Sequence, residues 1–98
     1  MTSVDKDKNE LLDVLKIASR DEELLESFLR DLLTPSEFLE IITRWQIIKR
    51  LSLGENQRVI AGDLKIGIGT VTRGSRALLN SSGGFNKILE KLGYKSEE

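Results

Sequence analysis

The sequence predicts an all-α fold. Apolar residues recur every three or four positions along most of the chain, and no run alternates apolar and polar residues for long enough to make a strand. Thr34-Pro35-Ser36-Glu37 combines three independent helix-start signals: a hydroxyl at the N-cap, proline at the first helical position and a carboxylate two positions later.

In the first helix, Leu11, Leu12, Val14, Leu15 and Ala18 share one face. Ser19-Arg20-Asp21-Glu22 reads as a capping box that restarts a second helix. There Leu24, Phe28 and Leu32 form one row and Leu25, Leu29 and Leu33 an adjacent one, so this helix is expected to be deeply buried. The helix opened by Thr34 should run to about Leu53, with Gly54 in the left-handed stop position. Its faces carry Phe38, Ile41, Trp45 and Ile48, with Leu39, Ile42 and Ile47 extending the apolar surface. So broad an apolar surface predicts a homodimer with this helix at its centre; the alternative is a monomeric helical bundle. Asn56 is a good N-cap for a two-turn helix from Gln57 to about Leu64. A break through Lys65-Ile66-Gly67-Ile68-Gly69 leads to a helix from about Gly69 to Leu79, with Val71, Ala77 and Leu78 inward and Thr70, Thr72, Arg73 and Arg76 outward. Ser81-Ser82-Gly83-Gly84 is a loop, and Phe85, Ile88, Leu89 and Leu92 mark the last helix. The tail from Gly93 should fray.

The 98 residues suit one domain, 1–98, with dimerisation helices over about 8–53, two short paired helices over about 56–80 and a last helix over about 85–92. The chain has no Cys and no His. Thiol chemistry, disulfides and the commonest general base and metal ligand are therefore excluded, and no enzymatic activity and no metal are expected. Uninterrupted apolar runs never exceed three residues, so no membrane span is expected. Met1 to Glu10 is largely polar, so neither a secretory signal nor export is expected, and a cytoplasmic location is.

The net charge of −1 hides a division. Residues 1–43 carry five Lys/Arg and eleven Asp/Glu; residues 44–80 carry seven, Arg44, Lys49, Arg50, Arg58, Lys65, Arg73 and Arg76, against Glu55 and Asp63. A polyanion feels the local field of that basic block, although the block could equally neutralise the acidic half within the fold. Two short helices around a glycine-bearing break match the spacing of a helix-turn-helix. Counted from Gln57, apolar residues fall at positions four, eight, ten and fifteen, namely Ile60, Leu64, Ile66 and Val71, with small Ala61 at the crossing. The second helix of such a pair enters the major groove with its N-terminal residues. Here Ile68, Gly69, Thr70 and Thr72 would read bases, while Gln57 and Arg58 open the first helix where phosphate is gripped. With the cations Lys65, Arg73 and Arg76, these form the candidate interface for double-stranded DNA.

Several stretches resemble the Trp repressor family, in order: Leu32-Leu33-Thr34-Pro35-Ser36-Glu37, Thr43-Arg44, Gly54-Glu55, Gln57-Arg58 and Thr70-Val71-Thr72-Arg73-Gly74-Ser75. The spacing holds except for one residue missing between Gly54 and Gln57, and the resemblance covers about residues 8–92. It implies a six-helix, intertwined homodimer that represses transcription at an operator once L-tryptophan binds as co-repressor. By the same resemblance Arg44 and Arg73 sandwich the indole, and Arg73 also meets the carboxylate. Leu32, Leu33 and Thr34 close the pocket from the partner subunit, and Gly74 forms its floor. Two departures stand out. Ala77 occupies the place of a serine that commonly helps hold the ligand's ammonium, and Lys65 the place of a turn glycine that often needs positive φ. The competing readings are a DNA-binding relative with another effector or none, and a helical protein-interaction module.

Overall fold

The computed structural model describes residues 2–94, in which six helices and no strand occur: α1 (Ser3–Ala18), α2 (Glu22–Leu32), α3 (Pro35–Ser52), α4 (Gln57–Leu64), α5 (Ile68–Ala77) and α6 (Gly84–Leu92). The chain divides into two compact units, Met1–Leu39 and Glu40–Glu98. Gly93 and Tyr94 close the last helix through backbone bonds to Glu90 and Leu89, and the rest of the expected frayed tail, residues 95–98, lies outside the described residues.

In the first unit α1 packs on α2, with Ala18 buried. α1 begins at Ser3, earlier than the apolar periodicity predicts, because Thr2 and Asp5 form a capping box: the Asp5 N–H donates to Thr2 Oγ1 at 3.1 Å and the Asp5 carboxylate accepts from the Thr2 N–H at 3.4 Å. The boundary with α2 also corrects the sequence reading. Ser19 is the C-cap of α1, its hydroxyl donating to the Lys16 carbonyl, and Asp21 is the N-cap of α2, accepting from the Glu23 and Leu24 N–H groups. A hydroxyl and a carboxylate both accept from the open N–H groups of a helix start, but only the ionised carboxylate also complements the macrodipole. Nor is α2 deeply buried: none of its residues is fully covered, and Leu24 and Leu32 stay about half exposed at 49% and 50%. An apolar stripe shows that a helix needs cover, and a single chain of this length does not supply it.

The Thr34 box forms as the sequence predicts. The Glu37 N–H donates to Thr34 Oγ1 at 3.2 Å and the Thr34 N–H donates to the Glu37 carboxylate at 2.8 Å. Arg30 lies 4.7 Å over the Phe38 ring and holds the chain beside that turn.

In the second unit the core is Ile47, Ile60, Ala61 and Val71, with Leu51, Leu64 and Ile66 packed against it. All five positions expected to pack a helix-turn-helix therefore meet there, joined by Ile47 and Leu51 from α3. Burying a Val or Ile side chain contributes roughly 1.5–3 kcal/mol, so these few residues dominate the unit's stability. α3 ends at Gly54, φ +85°, with the Glu55 N–H reaching back to the Arg50 carbonyl at 3.1 Å. α4 ends in the same motif on Lys65, whose φ of 57° places a side-chain-bearing residue in the left-handed region. The apolar Ile66 that follows packs on the core while its N–H bonds the Ala61 carbonyl at 3.0 Å, which holds the turn. On α5 Val71 is buried as expected, but Ala77 is exposed, because the helix ends there and turns towards α6.

Gly74 is the tightest point of the unit. A methyl group on it would stand 2.7 Å from Ile47 Cγ2, whereas one on Gly62, in the middle of α4, would meet nothing within 4 Å. Gly74→Ala should therefore lower stability by about 1–2 kcal/mol, overpacking outweighing the gain in helix propensity. Gly62→Ala should raise it by about 0.5–1 kcal/mol. Paired urea titrations measure both, and equal signs would contradict the packing described.

Candidate nucleic-acid interface

α4 and α5 are tied together at the edge where both begin or make their first turns. Asn56 caps α4 by accepting from the Arg58 N–H at 2.8 Å. Thr72 Oγ1 has two acceptors within reach, Gln57 Oε1 and the Ile68 carbonyl, each at 3.0 Å. Its single hydroxyl proton serves one at a time, so Thr72 links the two helices or bonds back into its own. Arg73 Nη2 donates to Thr70 Oγ1 at 3.2 Å. Gln57, Thr70, Thr72 and Arg73 thus form two bonded pairs.

The first turn of α5 is bare. Ile68 is 48% exposed, Gly69 is exposed with no atom within 4 Å of where its Cβ would stand, and Thr70 is half-buried. Gly67 caps α5 with no side-chain bond, so backbone N–H groups of this turn remain open to an outside acceptor.

The cations of these two helices and their connection are exposed: Arg58 on α4, Lys65 in the turn, and Arg73 and Arg76 on α5. None of them takes part in an ion pair among the described residues. Both carboxylates of the basic block go instead to Arg50, which bonds Glu55 at 2.6 Å and Asp63 at 2.5 Å. Glu55 first and Asp63 second hold the Arg50 guanidinium above its ordinary range. The block's anions are therefore gathered at one point, and Arg58, Lys65, Arg73 and Arg76 face solvent without an ion pair among the described residues.

The residues expected at the effector lie in both units. Leu32 ends α2, Leu33 is its half-buried C-cap, and exposed Thr34 is held in its capping box. Two hydrogen bonds from Thr34, the backbone one larger, hold the Glu37 carboxyl below the usual carboxylate range. Arg44 is exposed on α3, and Gly74 is half-buried against Ile47. Among the described residues no group of three His, Cys, Asp or Glu side chains is placed to hold a metal ion, and no helix is long and apolar enough to cross a membrane.

Two features were not read from the sequence. One is the Arg50 cluster, whose partners stand five and thirteen residues away and follow no helical period. The other is Asn86, 5% exposed, whose Nδ2 donates to the Leu78 and Asn80 carbonyls at 3.0 and 2.9 Å and so satisfies the end of α5 from α6. Its signal was available: an asparagine inside an apolar helix is disfavoured unless its amide has work to do.

The chain matches the family described as Trp repressor protein over residues 6–93. It is 39% identical over 84 residues to a Trp operon repressor homolog of Vibrio cholerae serotype O1, covering 85% of this chain and 81% of that protein. With a Trp operon repressor homolog of Vibrio campbellii it shares 36% over 78 residues, 79% of this chain and 77% of the other. The matched span takes in the capped start of α3, the core of α4 and α5 and the bare turn between them, and on that basis the chain belongs to the Trp repressor family.

Proposed function

We propose that this protein is a sequence-specific, DNA-binding transcriptional repressor, a cytoplasmic homodimer of single-domain chains activated for operator binding by L-tryptophan. The observation that carries the DNA-binding reading is the bare first turn of α5 together with exposed Arg58, Lys65, Arg73 and Arg76 on α4, α5 and the turn between them, the carboxylates Glu55 and Asp63 being held by Arg50. Small residues let the turn approach base edges, and the exposed cations meet phosphate. Gln57, Ile68, Gly69, Thr70 and Thr72 are assigned to the groove and the adjoining strand.

Dimerisation is supported by the apolar surface left uncovered on α2 and α3, where Leu24, Leu32, Leu39, Ile41 and Ile42 are 39–63% exposed. Sedimentation at micromolar concentration should show a species of two chains; a single-chain mass would remove the dimer from the reading.

The two arms of the interface should separate on mutation. Thr70→Ala should lower binding to the tightest duplex selected from a random pool while leaving random-sequence DNA unaffected. Arg58→Ala should weaken both alike and flatten the salt slope by about one unit, as the loss of one phosphate contact does. Mobility shifts across a salt series give both quantities, and equal losses from both variants on both duplexes would refute the assignment.

The effector reading follows from family membership and from the chemistry of the residues. A planar guanidinium both stacks on an aromatic face and pairs with a carboxylate. Arg44 and Arg73 are assigned to those tasks, Gly74 to the floor, and Leu32, Leu33 and Thr34 of the partner subunit to closing the pocket. Calorimetry should find two equivalent L-tryptophan sites per dimer, and the ligand should raise the melting temperature because it binds only the folded state. Analogues lacking the carboxylate should bind more weakly. Those lacking only the ammonium should lose less than they do in a family member with serine at this place, since Ala77 offers that group no hydrogen bond. No heat and no melting shift at millimolar L-tryptophan, with DNA binding intact, would point to another effector or none.

A further inference from the structure

α4 is eight residues long, about 12 Å from end to end. Its first turn is anchored by the short connection from α3 and the Asn56 cap. Beneath it lie Ile60, Ala61 and Leu64, packed with Ile47 and Leu51 of α3. Apolar contact resists separation but has no direction, so it resists pivoting poorly. Gly74 of α5, pressed against Ile47, supplies a fulcrum rather than a brace.

The brace is elsewhere. Arg50 stands two residues from the end of α3, and Asp63 one residue from the end of α4. Arg50 Nε and Nη2 reach one Glu55 oxygen at 2.8 and 2.6 Å, and Nη2 also reaches Asp63 Oδ2 at 2.5 Å. Glu55, in the turn, fixes the guanidinium plane, and the oriented guanidinium takes hold of the far end of α4. The Arg50 side chain is only 17% exposed. Charge-assisted bonds of this kind are directional where apolar contacts are not. A pivot of about 10° would carry the far end of a ~12 Å helix through about 2 Å, far more than a base-edge hydrogen bond tolerates.

We propose that Arg50 is a positioning residue for the DNA-reading pair: by gripping Asp63 from the Glu55-braced end of α3, it sets the angle of α4 and α5 on α3 and thereby the protein's selectivity for its operator. The inference rests on the DNA-binding reading above. It assigns Arg50, Glu55 and Asp63 no contact with DNA.

Charge and geometry make opposite predictions, which allows a clean test. Arg50→Lys keeps the charge but cannot grip in two directions. Asp63→Asn removes an anion from the DNA-reading pair and, by charge alone, would strengthen binding to every duplex. Each variant is compared with the wild-type protein, with L-tryptophan present, on the tightest duplex the wild type selects from a random pool and on an unselected random-sequence duplex. Both variants should lose about tenfold on the selected duplex, an effect of the size of one mismatched base pair. On the random duplex Arg50→Lys should match the wild type and Asp63→Asn should match or exceed it, with melting temperatures within a few degrees because a partly exposed ion pair adds little stability. A wild-type ratio of selected to random binding in either variant overturns the inference. So does an equal loss on both duplexes accompanied by a lower melting temperature, which marks a structural role only. If the wild-type protein binds no duplex in a salt-dependent way, the DNA-binding reading itself fails, and that result precedes any variant.

Discussion

The second unit depends on one close approach, Gly74 of α5 against Ile47 of α3. Only a residue without a side chain lets α5 come so near, and Ile47 lies in the same cluster as Ile60, Ala61 and Val71. The long helix thus provides one wall of the core in which the two short helices pack. Neither α4 nor α5 is long enough to be stable alone in water. Their helicity is a tertiary property, obtained from α3 and from each other.

In both units polar groups set direction where packing cannot. Helix starts are fixed by Thr2, Asp21, Thr34 and Asn56, each accepting from N–H groups that would otherwise lack partners. The end of α5 is closed from α6 by the Asn86 amide. Arg50 collects the only two carboxylates of residues 44–80, so one side chain both joins α3 to α4 and leaves the surrounding cations without local competition. These devices cost little core volume, which matters in a chain with seven buried apolar residues among those described.

What the sequence discloses follows from how local each signal is. The starts of α3 and α4, the stop at Gly54 and the packing of Ile60, Leu64, Ile66 and Val71 come from spacings of a few residues, and the structure has them where the pattern puts them. The left-handed turn at Lys65 was legible only through the family's glycine at that place. Ser19 and Asp21 both suit an N-cap, and the choice between them depends on where α1 ends, which no local spacing reports. The depth of α2 could not be read from its stripe, since periodicity reports which face is apolar and not what covers it. Of the candidate site, the residue types on α4 and α5 were legible, whereas the Arg50 cluster arises from a tertiary meeting of positions 50, 55 and 63.

The capping box at Thr34 carries a consequence in protons. Glu37 accepts the Thr34 N–H more strongly as a carboxylate than as a neutral acid, so its affinity for a proton is lower in the folded chain than that of an ordinary glutamate. A depressed carboxyl stabilises the fold above its unfolded pKa, and that contribution disappears as acidification carries the pH down through the folded value. The residue assigned to close the effector pocket is therefore held by a group that resists protonation more than an ordinary glutamate does. Acid weakens that hold, and does so further down the pH scale than it would for a glutamate without the Thr34 bonds.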